Sequence, residues 1–198
     1  RENLKRVFQI YDQHPELLDY VADRLVELGE QVPDDKPRVK FNFRQNPAAD
    51  ALFTDIANYP KELFLAPGAK AANRKALAKF GAWINAASHK KYGRPLFLAM
   101  SADLADSTNI SGFAKAWQDF EGLGMYDRNT NPEGCLLPQG ITEFSNAGIS
   151  AGLAAVNFSE TPYEEFKGFY AACSTYGSFS YLKYGPMRLF SQLAQDAE

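Results

Sequence analysis

The N-terminal part of the chain carries apolar side chains at helical spacing. Leucine, valine and aromatic positions recur every three or four residues over residues 3–13 and again over residues 15–28. This period places them on one face of a helix. His14-Pro15 separates the two segments and Gly29 follows the second, as is typical of helix boundaries. The pattern predicts two consecutive amphipathic helices.

From residue 70 the pattern changes to long helical segments that alternate with short apolar runs. An amphipathic segment ends at Gly93, a segment of small residues spans residues 142–156, and helical spacing returns from about Phe179 to Gln195. The apolar runs between them predict strands in RPLFLAMSADL, GCLLPQGI and FKGFYAACSTY. Pro138 weakens the second strand, and Pro186 either bends the last helix or begins a new one. The alternation predicts an α/β fold with a mainly parallel sheet flanked by helices.

The composition is that of a globular chain without an obvious charge signature. Of 198 residues, 45% are hydrophobic and 14% aromatic, which excludes a disordered chain or a coiled coil. The net charge is only −3 and the basic residues are scattered, so we expect no nucleic-acid partner. No apolar run approaches the roughly 20 residues that span a bilayer, and the N-terminal residues lack the apolar core of a signal peptide. We therefore expect no membrane partner and a cytoplasmic location.

Few residues are available for metal or nucleophile chemistry. Cys135 and Cys173 are far apart and show no CxxC spacing, so we expect reduced thiols. His14 and His89 stand alone, which leaves little material for a metal site or a Ser-His-Asp triad. We predict no metal ligands in this chain.

Three polar or aromatic segments follow the predicted strands: SADLADSTN, QGITEF and STYGSF. The carboxyl ends of parallel strands are where functional loops gather. The first segment is equally typical of an Asp/Ser turn with a helix cap. In the second, Glu143 is a lone carboxylate at the start of a helix of small residues. The explanation that needs no function is that it complements the helix dipole.

Taken in order, these segments resemble the pyrimidine-binding (middle) domain of transketolase, a thiamine-diphosphate enzyme. SADLADSTN resembles the SADL-x-x-S-N stretch of that family, GITEFSNAGISAGLA its GIRE segment and small-residue helix, and TYGSFSYLKYGPMR its T-F-x-x-F-x-x-Y…R segment. ANRKA resembles the TRK entry to this domain, and residues 3–33 resemble the helical connector before it. The resemblance implies a connector over 1–33 and a C-terminally incomplete pyrimidine-binding domain over 70–198, with 34–69 left as a linker of uncertain role.

The resemblance implies a cofactor site centred on Glu143. In this family a glutamate at that position bonds the ring nitrogen of the aminopyrimidine and is catalytic. Tyr176 and Phe179 match the aromatic residues that enclose this ring. Asp103 matches the aspartate near the cofactor and the dimer interface. A third aromatic residue is assigned to Tyr181, with Leu182 and Tyr184 as the alternatives.

Arg74 and Ser107 match residues that bind the phosphate of the sugar, and an arginine with a hydroxyl suits an anion. For both, a surface ion pair or a cap is the alternative. The chain lacks the GDG-then-Asn motif that holds magnesium and diphosphate. The resemblance therefore implies that thiamine diphosphate binds together with Mg supplied by a diphosphate-binding domain, in another subunit or in a missing part of the chain, and that the protein is a homodimer.

The function implied is transfer of a two-carbon ketol unit between sugar phosphates, with the isolated chain inactive. One alternative is another thiamine-diphosphate enzyme, of the 2-oxoacid dehydrogenase or phosphoketolase type. A second is a non-catalytic module for oligomerisation or regulation.

Overall fold

The fold combines helices with a small parallel sheet, as the strand and helix pattern predicts. The computed structural model describes residues 2–30, 41, 43, 45–156 and 168–196. The chain divides into two units, residues 1–37 and residues 38–198.

The first unit contains helices α1 (Glu2–Gln13) and α2 (Pro15–Glu30), which confirms the two predicted helices. The break at His14 places Pro15 at the first position of α2, where its missing N–H costs nothing. The leucine and valine side chains of both helices are exposed, and so is Phe8. The described part of this unit therefore encloses no core.

The second unit is organised around helix α4 (Asn73–Tyr92), which follows the short helix α3 (Ala51–Thr54). As predicted, α4 ends at Gly93, which has a φ of 68° and donates its N–H to the His89 carbonyl at 2.8 Å. Glycine adopts this left-handed conformation without a steric penalty. The middle of α4 is buried, with Trp83 and Ile84 facing the core.

Strand β1 (Phe97–Ser101) pairs in parallel with strand β2 (Tyr170–Ser174), so that Ser101 lies opposite Ser174 at the carboxyl ends. Both strands were predicted. In the described residues this sheet has two strands.

The predicted strand in GCLLPQGI is wrong as an extended strand, although the segment does lie along the free edge of β1. The Ala99 N–H donates to the Cys135 carbonyl and the Leu137 N–H donates to the Ala99 carbonyl, both at 2.8 Å, around a single parallel bridge at Leu136. The Cys135 amide donates to the Gly124 carbonyl instead of to β1. The Phe97 carbonyl and N–H, which the preceding bridge would use, are bonded to Asn85. The ladder therefore does not extend toward the start of β1.

Helix α5 (Glu143–Ala155) packs against β2 and against helix α6 (Tyr184–Asp196). The helical segment predicted from about Phe179 to Gln195 is confirmed, and its first part is a 3₁₀ helix (Gly177–Lys183) that passes directly into α6. Pro186 lies in the first turn of α6, which decides between the two alternatives: it starts a new helix.

Within the segment over residues 34–69, the structure describes Phe41, Phe43 and residues 45–69. Residues 34–40, 42 and 44 lie outside the described part. It forms short helical turns that pack onto α4. Phe53 is buried, and the Tyr59 ring lies 4.5 Å from the Trp83 ring. The described part of this segment therefore belongs to the second unit and covers its core.

The buried side chain of Asn85 joins α4 to the sheet. Its Nδ2 donates to the carbonyls of Phe97 and Phe113, at 3.0 and 2.9 Å. Its Oδ1 accepts from the amides of Leu96 and Phe97, at 3.0 and 2.8 Å. One amide thus satisfies four backbone groups that would otherwise be buried without partners. These bonds fix the position of the start of β1 against α4.

A 3₁₀ helix (Ile110–Ala114) packs closely across α4. A Cβ at Gly112 would lie 2.4 Å from the Cα of Ala78, so the contact is possible only for glycine. The backbone-to-backbone packing at Gly112 holds the loop after β1 against the helix.

Candidate functional site

Glu143 is the first residue of α5 and is 4% exposed. The hydroxyl of Thr175 donates to Glu143 Oε1 at 2.9 Å. Thr175 directly follows β2, so this bond joins the start of the helix to the carboxyl end of the strand. The preceding residue, Thr142, makes no side-chain cap bond to the helix. The carboxylate is therefore buried against the end of β2 and held there by Thr175.

A small polar network supports this first turn. The Thr142 hydroxyl lies 3.1 Å from Gln139 Oε1 and 3.3 Å from Asn146 Oδ1. Asn146 is fully buried, and its Nδ2 has no hydrogen-bond partner among the described residues. A buried amide donor without a partner is costly. The network places this free donor three residues along the helix from Glu143.

The predicted aromatic residues come directly after Thr175. Tyr176 and Phe179 are 43% and 44% exposed, and Tyr181 is 68% exposed. The Phe179 N–H donates to the Tyr176 carbonyl at 2.9 Å, which closes the first turn of the 3₁₀ helix. Within the described part of the chain, none of the three rings stacks on another aromatic ring. Their faces are therefore available to a ligand.

The loop after β1 is tied to β2 by hydroxyl groups. The Thr108 and Ser174 hydroxyls are 2.8 Å apart, and Ser101 donates to the Ser174 carbonyl at 3.3 Å. The structure thus brings the segments after both strands to one end of the sheet. Sequence reasoning missed Thr175, Asn146, Thr108 and Ser174 as supporting residues.

A cleft of about 470 Å³ opens beside this loop and is lined by Asp103, Ser107 and Gln139. Asp103 is exposed and has a φ of 56°, in the left-handed region that a non-glycine residue adopts rarely. Gln139 contacts Thr142, so the wall of the cleft continues toward the start of α5.

The structure brings Arg74 and Ser107 together. Arg74 Nη1 donates to the Ser107 carbonyl at 3.3 Å, and the Ser107 hydroxyl donates to the Leu104 carbonyl at 3.2 Å. Nearby, Asp106 accepts from the Ser111 hydroxyl and from Lys115, and these hydrogen bonds lower its pKa. Arg74 therefore places one positive charge at the edge of the loop without an ion pair to the neighbouring Asp106.

Two further features are absent from the described ranges, a metal site and a membrane-spanning helix. No group of three or more His, Cys, Asp or Glu side chains is arranged to hold a metal ion. No described helix is both long enough and apolar enough to cross a bilayer.

Comparisons with protein-family models, with curated proteins and with solved structures find no match to this chain. A function is therefore inferred from the site residues themselves.

Proposed function

We propose that this chain contributes the pyrimidine-binding part of a thiamine-diphosphate site in a transketolase-type transferase, and that residues 70–198 have the fold of that domain. The observation that carries the proposal is the arrangement around Glu143. A buried carboxylate begins a helix of small residues and accepts a hydrogen bond from Thr175 at the end of a parallel strand, and the exposed rings of Tyr176 and Phe179 follow Thr175 along the chain. An acid beside flat apolar surfaces suits a basic heteroaromatic ring.

The residues present fit the aminopyrimidine end of the cofactor. Glu143 would hold a proton at its carboxyl group and share it with a ring nitrogen, while Thr175 keeps Oε1 in place. Tyr176, Phe179 and Tyr181 would contact the faces of the ring. When bound, thiamine diphosphate supplies a thiazolium carbon that attacks a substrate carbonyl.

The diphosphate end of the cofactor needs other residues. The described part of the chain offers no cluster of metal-ligating side chains, and Mg²⁺ is held by oxygen ligands and phosphates together. We therefore propose that a diphosphate-binding domain, in another subunit or elsewhere in the same polypeptide, completes the site. Asp103 lies in the cleft beside the loop after β1, where such a domain would meet it.

The contact between Arg74 and Ser107 favours a phosphorylated sugar as the substrate over a 2-oxoacid. Arg74 brings a guanidinium to Ser107, which lines the cleft, and a guanidinium with a hydroxyl is a suitable pair for a phosphate. A 2-oxoacid dehydrogenase would have no use for a phosphate-binding pair at this place. Both enzymes would use Glu143 in the same way.

Replacement of Glu143 by Gln tests the proposal. With the diphosphate-binding domain present, Glu143→Gln should lower the rate of ketol transfer between sugar phosphates by about 10²–10⁴-fold, because the amide cannot share an acidic proton. Gln keeps an oxygen that accepts from Thr175, so the fold should be retained. The rate is measured in a coupled assay with a ketose phosphate donor and an aldose phosphate acceptor.

The matched control is Glu121→Gln, at an exposed position outside the site, which should leave the rate unchanged. If Glu143 only complements the helix dipole, Glu143→Gln should instead cost about 0.3–1 kcal/mol of stability and leave the rate unchanged. That result would refute the catalytic assignment. The chain without the diphosphate-binding domain should show no ketol transfer.

A further inference from the structure

A second cavity, of about 370 Å³, lies between the last turns of α4 and the turn at residues 117–120. It shares no lining residue with the cleft beside Ser107 or with the surroundings of Glu143. Its size is at the lower end of the range for small-molecule pockets. The proposed cofactor function leaves this cavity without a role.

Three aromatic side chains form its walls: Trp83, Trp117 and Phe120. Trp83 is 4% exposed and is held by Tyr59, whose ring lies 4.5 Å away. Phe120 is in contact with His89, which also lines the cavity, at 5.1 Å between ring centres. Because the walls are packed by neighbours, the cavity is formed before any ligand enters.

The turn that carries two of these rings is fixed by its backbone. The N–H and carbonyl groups of Trp117 and Phe120 bond each other in both directions, at 2.9 and 3.0 Å. Between them Gln118 has a φ of 52°, a conformation that costs energy for a residue with a side chain. The turn thus holds its two aromatic rings over the end of α4.

The cavity is also lined by two side chains of opposite charge, Lys90 and Asp119. Neither takes part in an ion pair within the described part of the chain. By contrast Lys91, the next residue on α4, is paired with Asp50. A ligand with a single charge would be attracted by one of the two groups and repelled by the other. A ligand with both charges would match the pair.

We propose that this cavity binds a small aromatic zwitterion of the type of a free aromatic amino acid. Its ring lies against Trp83, Trp117 and Phe120, its carboxylate faces Lys90, and its ammonium group faces Asp119. The proposal does not depend on the function of Glu143, so either can fail without the other.

The chain provides its own reporter for this test. It contains two tryptophans, Trp83 and Trp117, and both line the cavity. L-phenylalanine absorbs little where tryptophan is excited, so its binding to the full chain is followed by tryptophan fluorescence. We expect a saturable change with L-phenylalanine. We expect weaker binding of phenylpropionate, of phenylethylamine and of L-leucine, each of which lacks one of the three recognised features.

Charge variants locate the binding. Asp119→Asn and Lys90→Gln should each weaken L-phenylalanine binding by about two- to fivefold, the range for exposed charge pairs. The matched controls are Glu121→Gln, beside the turn, and Lys75→Gln, at the other end of α4, which should bind like the unaltered chain. The proposal is overturned if L-phenylalanine gives no saturable change in fluorescence, or if phenylpropionate or phenylethylamine binds as tightly as L-phenylalanine. It is also overturned if the cavity variants bind L-phenylalanine with the same affinity as their controls.

Discussion

At the scale of single residues, the sequence identified the charged and aromatic members of the candidate site better than the polar residues that support them. Glu143 stood out because it is the one carboxylate in a helix of small and apolar residues. Thr175 and Asn146 carried no such signal, since their roles depend on which strand end and which helix turn meet in space. A polar residue three positions after Glu143, on the same helix face, is the only pattern that could have indicated Asn146.

The same limit applies to Asn85. Along the sequence it is one polar position in an amphipathic helix, yet it is 1% exposed and bonds four backbone groups from other parts of the fold. Periodicity describes which face of a helix is apolar. It does not show where an approaching strand leaves amides and carbonyls that need a partner.

Cys135 gives a prediction that depends on pH. Burial raises the pKa of this thiol to about 12, against an ordinary value of 9.0. Between these values the unfolded chain loses the thiol proton while the folded chain keeps it, so the free energy of unfolding falls as the pH rises. The contribution of Cys135 is about 1.4 kcal/mol per pH unit in this window.

Urea unfolding of the reduced protein, with Cys135→Ala as the reference, isolates this effect. The alanine variant is less stable at about pH 8, because it loses the contacts of the sulfur with Asn85 and Phe113. By about pH 10 the advantage of the unaltered chain should have shrunk by about 1.4 kcal/mol. An advantage that stays constant between the two pH values would show that the thiol ionises equally in both states.

At the scale of elements, the sequence predicted those helices and strands whose ends carry a local signal. α4 ends at a glycine in the left-handed conformation, and the break between α1 and α2 falls at a proline. The strand predicted after Gly134 does not extend because the Cys135 amide donates to the Gly124 carbonyl, a contact that no local pattern reveals. The helical segment before α6 was predicted, but its 3₁₀ form was not, because the spacing of its apolar residues is close to that of an α-helix.

Two glycine substitutions should have opposite effects on stability. At Gly112 a methyl group would meet the backbone of Ala78, so Gly112→Ala should lower the free energy of unfolding by about 1–3 kcal/mol or more. At Gly148, inside α5, nothing lies within 4 Å of the added carbon, so Gly148→Ala should raise it by about 0.5–1 kcal/mol. Denaturant unfolding of the two variants measures both changes. If Gly112→Ala left the free energy of unfolding unchanged, the 3₁₀ helix Ile110–Ala114 would not pack on α4 as described.

At the scale of the molecule, the sequence indicated the α/β class and the meeting of the loops after the strands, but not the role of residues 45–69. Those residues form one-turn helices, each too short to show a period. Their contribution is recognisable only from contacts such as that of Tyr59 with Trp83. A resemblance built on motifs cannot assign a segment that contains none of them.

The second unit exposes a continuous apolar surface on α6 and its neighbour α5. Leu189 and Leu193, one turn apart on α6, are 66% and 51% exposed. Together with Ala151 and Gly152 of α5 they line an apolar groove of about 270 Å³. Exposed apolar patches of this kind mark surfaces that associate with another protein chain. The homodimer implied by the resemblance would cover it.

We therefore expect this chain to self-associate through the surface of α6. Leu189→Arg should shift the chain toward monomer in sedimentation equilibrium, because it places a charge where an apolar side chain would be buried. Gln192→Arg adds the same charge at an exposed position of the same helix without removing an apolar side chain, so its effect on association should be much smaller. Circular dichroism of both variants checks that α6 still forms. If the unaltered chain is monomeric at high concentration, or if the two variants dissociate equally, the surface of α6 does not form a dimer interface.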